Sequence, residues 1–114
     1  MRSLDLSTAD VNGATVVTVN GSVDAVTTPR LTEALEAEVE AGNTNLVADF
    51  AGVEYVSSAG LRTILATVKR TRAEGGDLRV AAVQPNVEKV FELAGFTTIV
   101  RFFDHVDEAV ASYS

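Results

Sequence analysis

The chain is predicted to be an α/β protein: a small mixed, largely parallel β-sheet with flanking helices, in the order β-β-α-β-α-β-α-β-α. Three observations lead there. Asn12-Gly13 separates two strand-like segments and is a strong two-residue hairpin signal, so the sheet opens on an antiparallel pair. Residues 46–50 and 78–83 are nearly continuous apolar runs, as expected of strands covered on both faces. Segments with apolar residues at helical spacing alternate with these runs, which implies right-handed crossovers and parallel neighbours.

The elements follow in order. The first strands cover residues 4–8 and 14–19, and Asn20-Gly21 is expected to break the second. Ser22-Val23-Asp24-Ala25-Val26 leads into a helix capped by Thr28, with Pro29 as its first residue, where a missing N–H costs nothing. Leu31, Leu35 and Val39, with Ala34 beside them, form its apolar stripe, and Gly42 ends it where positive φ is usually needed. The strand over 46–50 is followed by a turn from Ala51 to Ser58. The second helix turns Leu61, Ile64, Leu65 and Val68 inward and Arg62, Lys69, Arg70 and Arg72 mostly outward, until Gly75-Gly76 stops it. After the strand over 78–83, Pro85 opens a third helix with Val87, Val90, Phe91 and Ala94 on its apolar side and Gly95 at its end. Residues 98–103 form a last strand or extended segment, and Asp104 caps a final helix carrying Val106, Ala109 and Val110.

Composition sets bounds on function. A length of 114 residues suits one compact domain, 1–114, and leaves little room for a second. Cysteine is absent, which removes disulfide and thiolate chemistry. No apolar run approaches a membrane span, and Met1-Arg2-Ser3-Leu4-Asp5 lacks the apolar core of a signal peptide, so a cytoplasmic protein is expected. The net charge of -7 repels nucleic-acid phosphates and anionic lipid headgroups, and is more compatible with a protein partner that offers a basic patch.

Chemistry concentrates at Ser57 and Ser58, which open the second helix. Backbone N–H groups are unpaired there and the helix dipole is positive, so a serine can cap the helix or carry a phosphate that the helix end stabilises. The N–H groups of Ala59, Gly60 and Leu61 are expected to receive part of that charge, with Gly60 allowing close approach. Asp24 also follows a strand at the same end of the sheet and is expected near Ser58, orienting its hydroxyl or touching a partner. Arg62, about one turn after Ser58, can pair with a phosphate; the other basic residues of that helix read as a solvated face. His105 beside Asp104 is the only histidine, and Val56-Ser57-Ser58-Ala59-Gly60 lacks the first glycine of a nucleophile elbow, which argues against a hydrolase triad. Gly75-Gly76-Asp77 is a turn without a P-loop lysine, and no acidic or histidine group has metal-ligand spacing. No cofactor or metal is expected.

Three segments together carry a resemblance. Gly21-Ser22-Val23-Asp24, the run Asp49-Phe50-Ala51-Gly52-Val53-Glu54-Tyr55-Val56-Ser57-Ser58-Ala59-Gly60-Leu61, and Ala94-Gly95-Phe96 fall in an order and spacing that resembles the STAS domain, the family of bacterial anti-sigma factor antagonists, over nearly the whole chain. The resemblance implies a small mixed sheet flanked by helices and a non-enzymatic binding protein, monomeric when free. It implies a serine at the start of the second helix that is phosphorylated by an anti-sigma factor, itself a serine/threonine protein kinase, and dephosphorylated by a PP2C-type phosphatase. Only the unphosphorylated form would bind the anti-sigma factor. Carried onto this chain, the acceptor is Ser58, with Asp24, Ser57, Gly60 and Arg62 as partner-binding neighbours. Many family members have aspartate just before the acceptor; here Ser57 stands in its place and becomes a second candidate. Two other readings stay open: an unswitched STAS scaffold in a larger regulatory or transport assembly, with Ser58 only a cap, and a nucleotide or small-ligand binding domain, or minor hydrolase, using the same loop.

Overall fold

The computed structural model describes residues 3–114; Met1 and Arg2, part of the N-terminal segment read above, lie outside the described residues. The elements are β1 (Leu4–Val11), β2 (Ala14–Val23), α1 (Thr28–Glu40), β3 (Asn45–Val56), α2 (Ser58–Ala73), β4 (Asp77–Ala81), α3 (Pro85–Leu93), a single 3₁₀ turn (Phe96–Thr98), β5 (Phe102–Phe103) and α4 (Val106–Ala111). The five strands lie in sequential order, β1 antiparallel to β2 and every later pair parallel. Asn12 and Gly13 both have positive φ, 49° and 87°, the mirror-image turn that matches strand twist.

Right-handed crossovers that always step the same way along a sheet deliver their helices to one face. Accordingly Leu31 and Leu35 of α1, Ile64 and Val68 of α2, and Val87 and Phe91 of α3 share one buried cluster with Val17, Leu46, Ala48 and Val80 of the sheet. The alternate strand residues Val16, Val47 and Ala81 face the other side, where Ala109 and Val110 of α4 cover them. The ring of Phe91 lies 5.1 Å from that of Phe102, 5.6 Å from Phe96 and 6.2 Å from Phe50, joining α3 to both neighbouring strands.

The amino ends of β3 and β4 are tied to the chain terminus. Tyr113 donates its hydroxyl to the carbonyls of Leu46 (2.7 Å) and Asp77 (2.8 Å), and the Arg79 guanidinium lies 3.9 Å from the centre of its ring. Buried Asp77 accepts from Arg72 Nε at 2.9 Å and Arg79 Nε at 3.1 Å.

Several sequence expectations are corrected. Asn20-Gly21 does not break β2: the strand runs on to Val23, absorbing irregularities between Thr18 and Asn20 and between Gly21 and Ser22. Gly21 makes this passage possible with φ 119°, and a Cβ there would stand 2.1 Å from the Ser3 carbonyl oxygen. The expected turn from Ala51 onward is strand, because β3 follows the prolonged β2 as far as the Val23–Val56 pair. Strand β4 ends at Ala81; Ala82 at φ 60° turns the chain away. The last strand is only Phe102–Phe103, since Gly95 in the left-handed region starts a 3₁₀ turn in its place. Ala94 lies exposed after the end of α3, off its apolar side. The cap position of α4 is His105, with no side-chain cap bond, so Asp104 is not its cap. No helix among the described residues is long and apolar enough to cross a membrane.

Candidate functional site

The site is where β2 and β3 end side by side and α2 begins. Beyond Asp49, the last residue of β3 paired to β4, the strand's free edge is met by side chains of the α3 start: Gln84 Nε2 donates to the Ala51 carbonyl and Asn86 Nδ2 to that of Glu54, both at 2.8 Å. These bonds satisfy backbone groups that would otherwise be bare and hold the projecting strand. At its tip the Ser57 amide donates to the Val23 carbonyl at 2.8 Å. A Cβ on Gly60 would lie 2.7 Å from Val23 Cγ1 and 3.1 Å from Val56 Cγ1. Gly60 is thus explained by close seating of α2 on the two strand ends.

The two serines have different environments. Ser57 is the N-cap, extended at φ -86° and ψ 172°; its Oγ accepts from the Gly60 amide at 3.3 Å and its carbonyl from Leu61 at 3.0 Å. Ser58 is the first helical residue and is exposed, and its Oγ has no hydrogen-bond partner among the described residues. The donors expected to face a phosphate are corrected with this: Gly60 and Leu61 give their N–H groups to Ser57, leaving the amides of Ser58 and Ala59 in the first turn.

Asp24 is held by its own turn. Its Oδ1 accepts from the amides of Val26 and Thr27, each at 2.9 Å, and from the Thr27 hydroxyl at 3.2 Å. The Thr27 hydroxyl in turn donates to the Ser22 carbonyl at 2.6 Å. This Asx turn leads into α1. The expected Thr28 cap is not formed: Thr28 is already helical, and its amide and hydroxyl both donate to the Asp24 carbonyl. Asp24 follows Val23 as Ser57 follows Val56, so the two loops are adjacent, yet no hydrogen bond joins Asp24 to the Ser58 hydroxyl.

Two apolar side chains missed by sequence reasoning belong to this end of the sheet. Val26, in the Asp24 turn, is 85% exposed, and Tyr55, near the end of β3, is 42% exposed. An apolar residue between Asp24 and Thr27 was a readable sign of a solvent-facing turn; the bulged register hid the exposure of Tyr55. Arg62 lines a groove of about 250 Å³ between α1 and α2, with Glu36 and Arg70 among its walls. Thr32 and Thr63 join the two helices through their hydroxyls at 2.8 Å. A larger cleft, about 590 Å³, lies between α3 and β5 over Phe91 and Phe102 and includes none of the residues singled out in the sequence as site candidates. His105 has no hydrogen bond to either serine, and no metal-holding group of His, Asp and Glu occurs among the described residues.

This combination of sheet order and serine-tipped helix defines a class. Residues 5–109 match the STAS domain model, and the chain belongs to the STAS domain family. BtrV of Bordetella bronchiseptica, provisionally named an anti-sigma factor antagonist, is 30% identical over 110 residues, covering 96% of this chain and 95% of BtrV. The crystal structure of an anti-sigma factor antagonist from Mycobacterium paratuberculosis superposes with a TM-score of 0.89 at 31% identity, covering 96% of this chain and 93% of that one. Bacillus SpoIIAA in its phosphorylated form shares the fold at a TM-score of 0.73 and 17% identity, covering 98% of this chain and 100% of that one.

Proposed function

We propose that this chain is an anti-sigma factor antagonist in a partner-switching pathway. Unphosphorylated, it binds an anti-sigma factor that is a serine/threonine protein kinase; phosphate on Ser58 blocks that binding, and a PP2C-type phosphatase restores it. It acts in the cytoplasm as a single 1–114 domain, monomeric when free, by binding rather than catalysis. The observation that carries this reading is the contrast between the serines: Ser57 Oγ is committed to capping, while Ser58 Oγ is exposed and has no partner among the described residues.

The physics supports a switch that spares the fold. A phosphoserine brings about -1.5 to -2 charges and three acceptor oxygens. At the first helical position it meets the amides of Ser58 and Ala59 and the positive end of the dipole. The cost falls on the partner. Val26 in the Asp24 turn and Tyr55 near the end of β3 offer apolar surface, and Asp24, Ser57 and Arg62 complete the contact area, while buried Gly60 acts only by seating α2. A phosphate trapped in such an interface would lose solvation worth several kcal/mol, and each ~1.4 kcal/mol is tenfold in affinity.

The test is site-resolved phosphopeptide mass spectrometry on the protein incubated with ATP and lysate of its own organism, beside a Ser58→Ala control. Phosphate on Ser58 that disappears in the control is the expected result. Phosphate confined to Ser57, or none at either serine while a reference kinase–substrate pair works in that lysate, would overturn the assignment.

A further inference from the structure

Arg62 stands at i+4 from Ser58 on α2, so the two side chains are neighbours one turn apart, with Cβ atoms about 5–6 Å from each other. Long helical side chains lean toward the N-terminal turn, a direction that puts the Ser58 position within reach of the Arg62 guanidinium. In the unmodified protein Arg62 lines the α1–α2 groove with Ala59 and Thr63. An acidic group N-terminal to a basic one at this spacing is also the favourable order. The surroundings leave Arg62 available. Arg70 lies 3.8 Å from Glu74, and Arg72 is held by Asp77 at 2.9 Å and the Ile99 carbonyl at 2.7 Å. Arg62 is exposed and has no ion pair or hydrogen bond among the described residues, although Glu36 of α1 lines the same groove.

We propose that Arg62 is the internal receiver of phosphate on Ser58. Granted Ser58 as the acceptor, the reading on which this rests, modification then does two things at once. It places negative charge at the helix start, and it draws a guanidinium off the wall of the α1–α2 groove, leaving Glu36 and the Glu74-paired Arg70 as the charged groups lining it. A planar guanidinium fork matches two oxygens of a phosphate, which fits Arg62 to the task better than an ammonium would. The groove between α1 and α2 therefore loses one positive charge on phosphorylation without any movement of the backbone. A partner that reads Arg62 in the free form meets a neutralised residue in the modified one.

The experiment uses the full chain with phosphoserine encoded at position 58 during translation, in the native sequence and in Arg62→Gln and Arg62→Lys variants. Phosphorus NMR then follows the second ionisation of the phosphate with pH. The amides of Ser58 and Ala59 and the helix dipole are common to all three proteins, so the difference isolates residue 62. The native phosphoprotein is expected to ionise about 0.15–0.4 pH unit lower than Arg62→Gln, with Arg62→Lys between them. Modification of Arg62 by phenylglyoxal, read by peptide mass spectrometry against Arg70, is expected to slow severalfold when Ser58 carries phosphate. Equal ionisation in the three proteins overturns the proposal, whatever the reactivity. Because the phosphate is installed without a kinase, that failure is distinct from a failure to find Ser58 phosphorylated in lysate.

Discussion

Replacing Ser57 and Ser58 by alanine, one at a time, should separate stability from modification. Ser57 Oγ accepts the Gly60 amide at 3.3 Å, longer than the ~2.7–3.2 Å of good N–H···O bonds. Its loss belongs at the low end of the usual cap penalty, about 0.5–1 kcal/mol. In a chain of this size that lowers the midpoint of thermal unfolding by about 2–4 °C. Ser58→Ala removes an exposed hydroxyl without a partner and installs the best helix former, so its stability should stay within about 0.5 kcal/mol of the parent. Urea unfolding followed by far-UV circular dichroism measures both, with the slope as a check that the denatured state is unchanged. The expected pattern is a less stable Ser57→Ala that still takes phosphate on Ser58, and an equally stable Ser58→Ala that takes none. If Ser58→Ala were the more costly substitution, the assignment of cap and free hydroxyl would be refuted.

Gly60→Ala should destabilise by about 0.5–2 kcal/mol in the same assay: overpacking against buried Val23 and Val56, with contacts of 2.7 and 3.1 Å, outweighs the helix propensity gained. An unchanged or stabilised protein would show that the strand ends yield. Asp24→Ala loses the Oδ1 acceptor of the turn and should cost about 1 kcal/mol; an unchanged stability would remove the Asx turn from the account. Burial, and to a lesser degree Asp77, push the Tyr113 phenol well above its ordinary value despite the lowering by Arg79. The folded value lies above the unfolded one, so this contribution is complete below about pH 10 and is lost as pH rises further. In a Tyr55→Phe background, tyrosinate absorbance should therefore appear together with loss of helical dichroism; ionisation with the fold intact would contradict the burial.

Much of this was legible because it depends on local pattern. Asn12-Gly13 named its turn, and the spacing of Leu31, Leu35 and Val39 named the buried face of α1. The nearly continuous apolar run from Leu46 foretold a strand covered on both faces, since α1 and α2 pack on one side and α4 on the other. What was not legible depends on partners distant in sequence. Residues 51–56 look like a turn until Gln84 and Asn86 are seen holding their edge and β2 is seen accompanying them past Gly21. Asp24 was expected near Ser58, orienting its hydroxyl or touching a partner; the nearby amides of Val26 and Thr27 took its Oδ1. The serine pair was visible as a helix start, but which serine caps and which is free depended on where the first helical residue fell.

The most direct test of the switch is calorimetric titration of the purified partner kinase with unmodified protein and with the phosphoserine-58 form. The account predicts tight binding by the first and at least about 100-fold weaker binding by the second, equivalent to roughly 2.7 kcal/mol, with amide NMR spectra that differ only around the start of α2. Equal affinities for the two forms would contradict it.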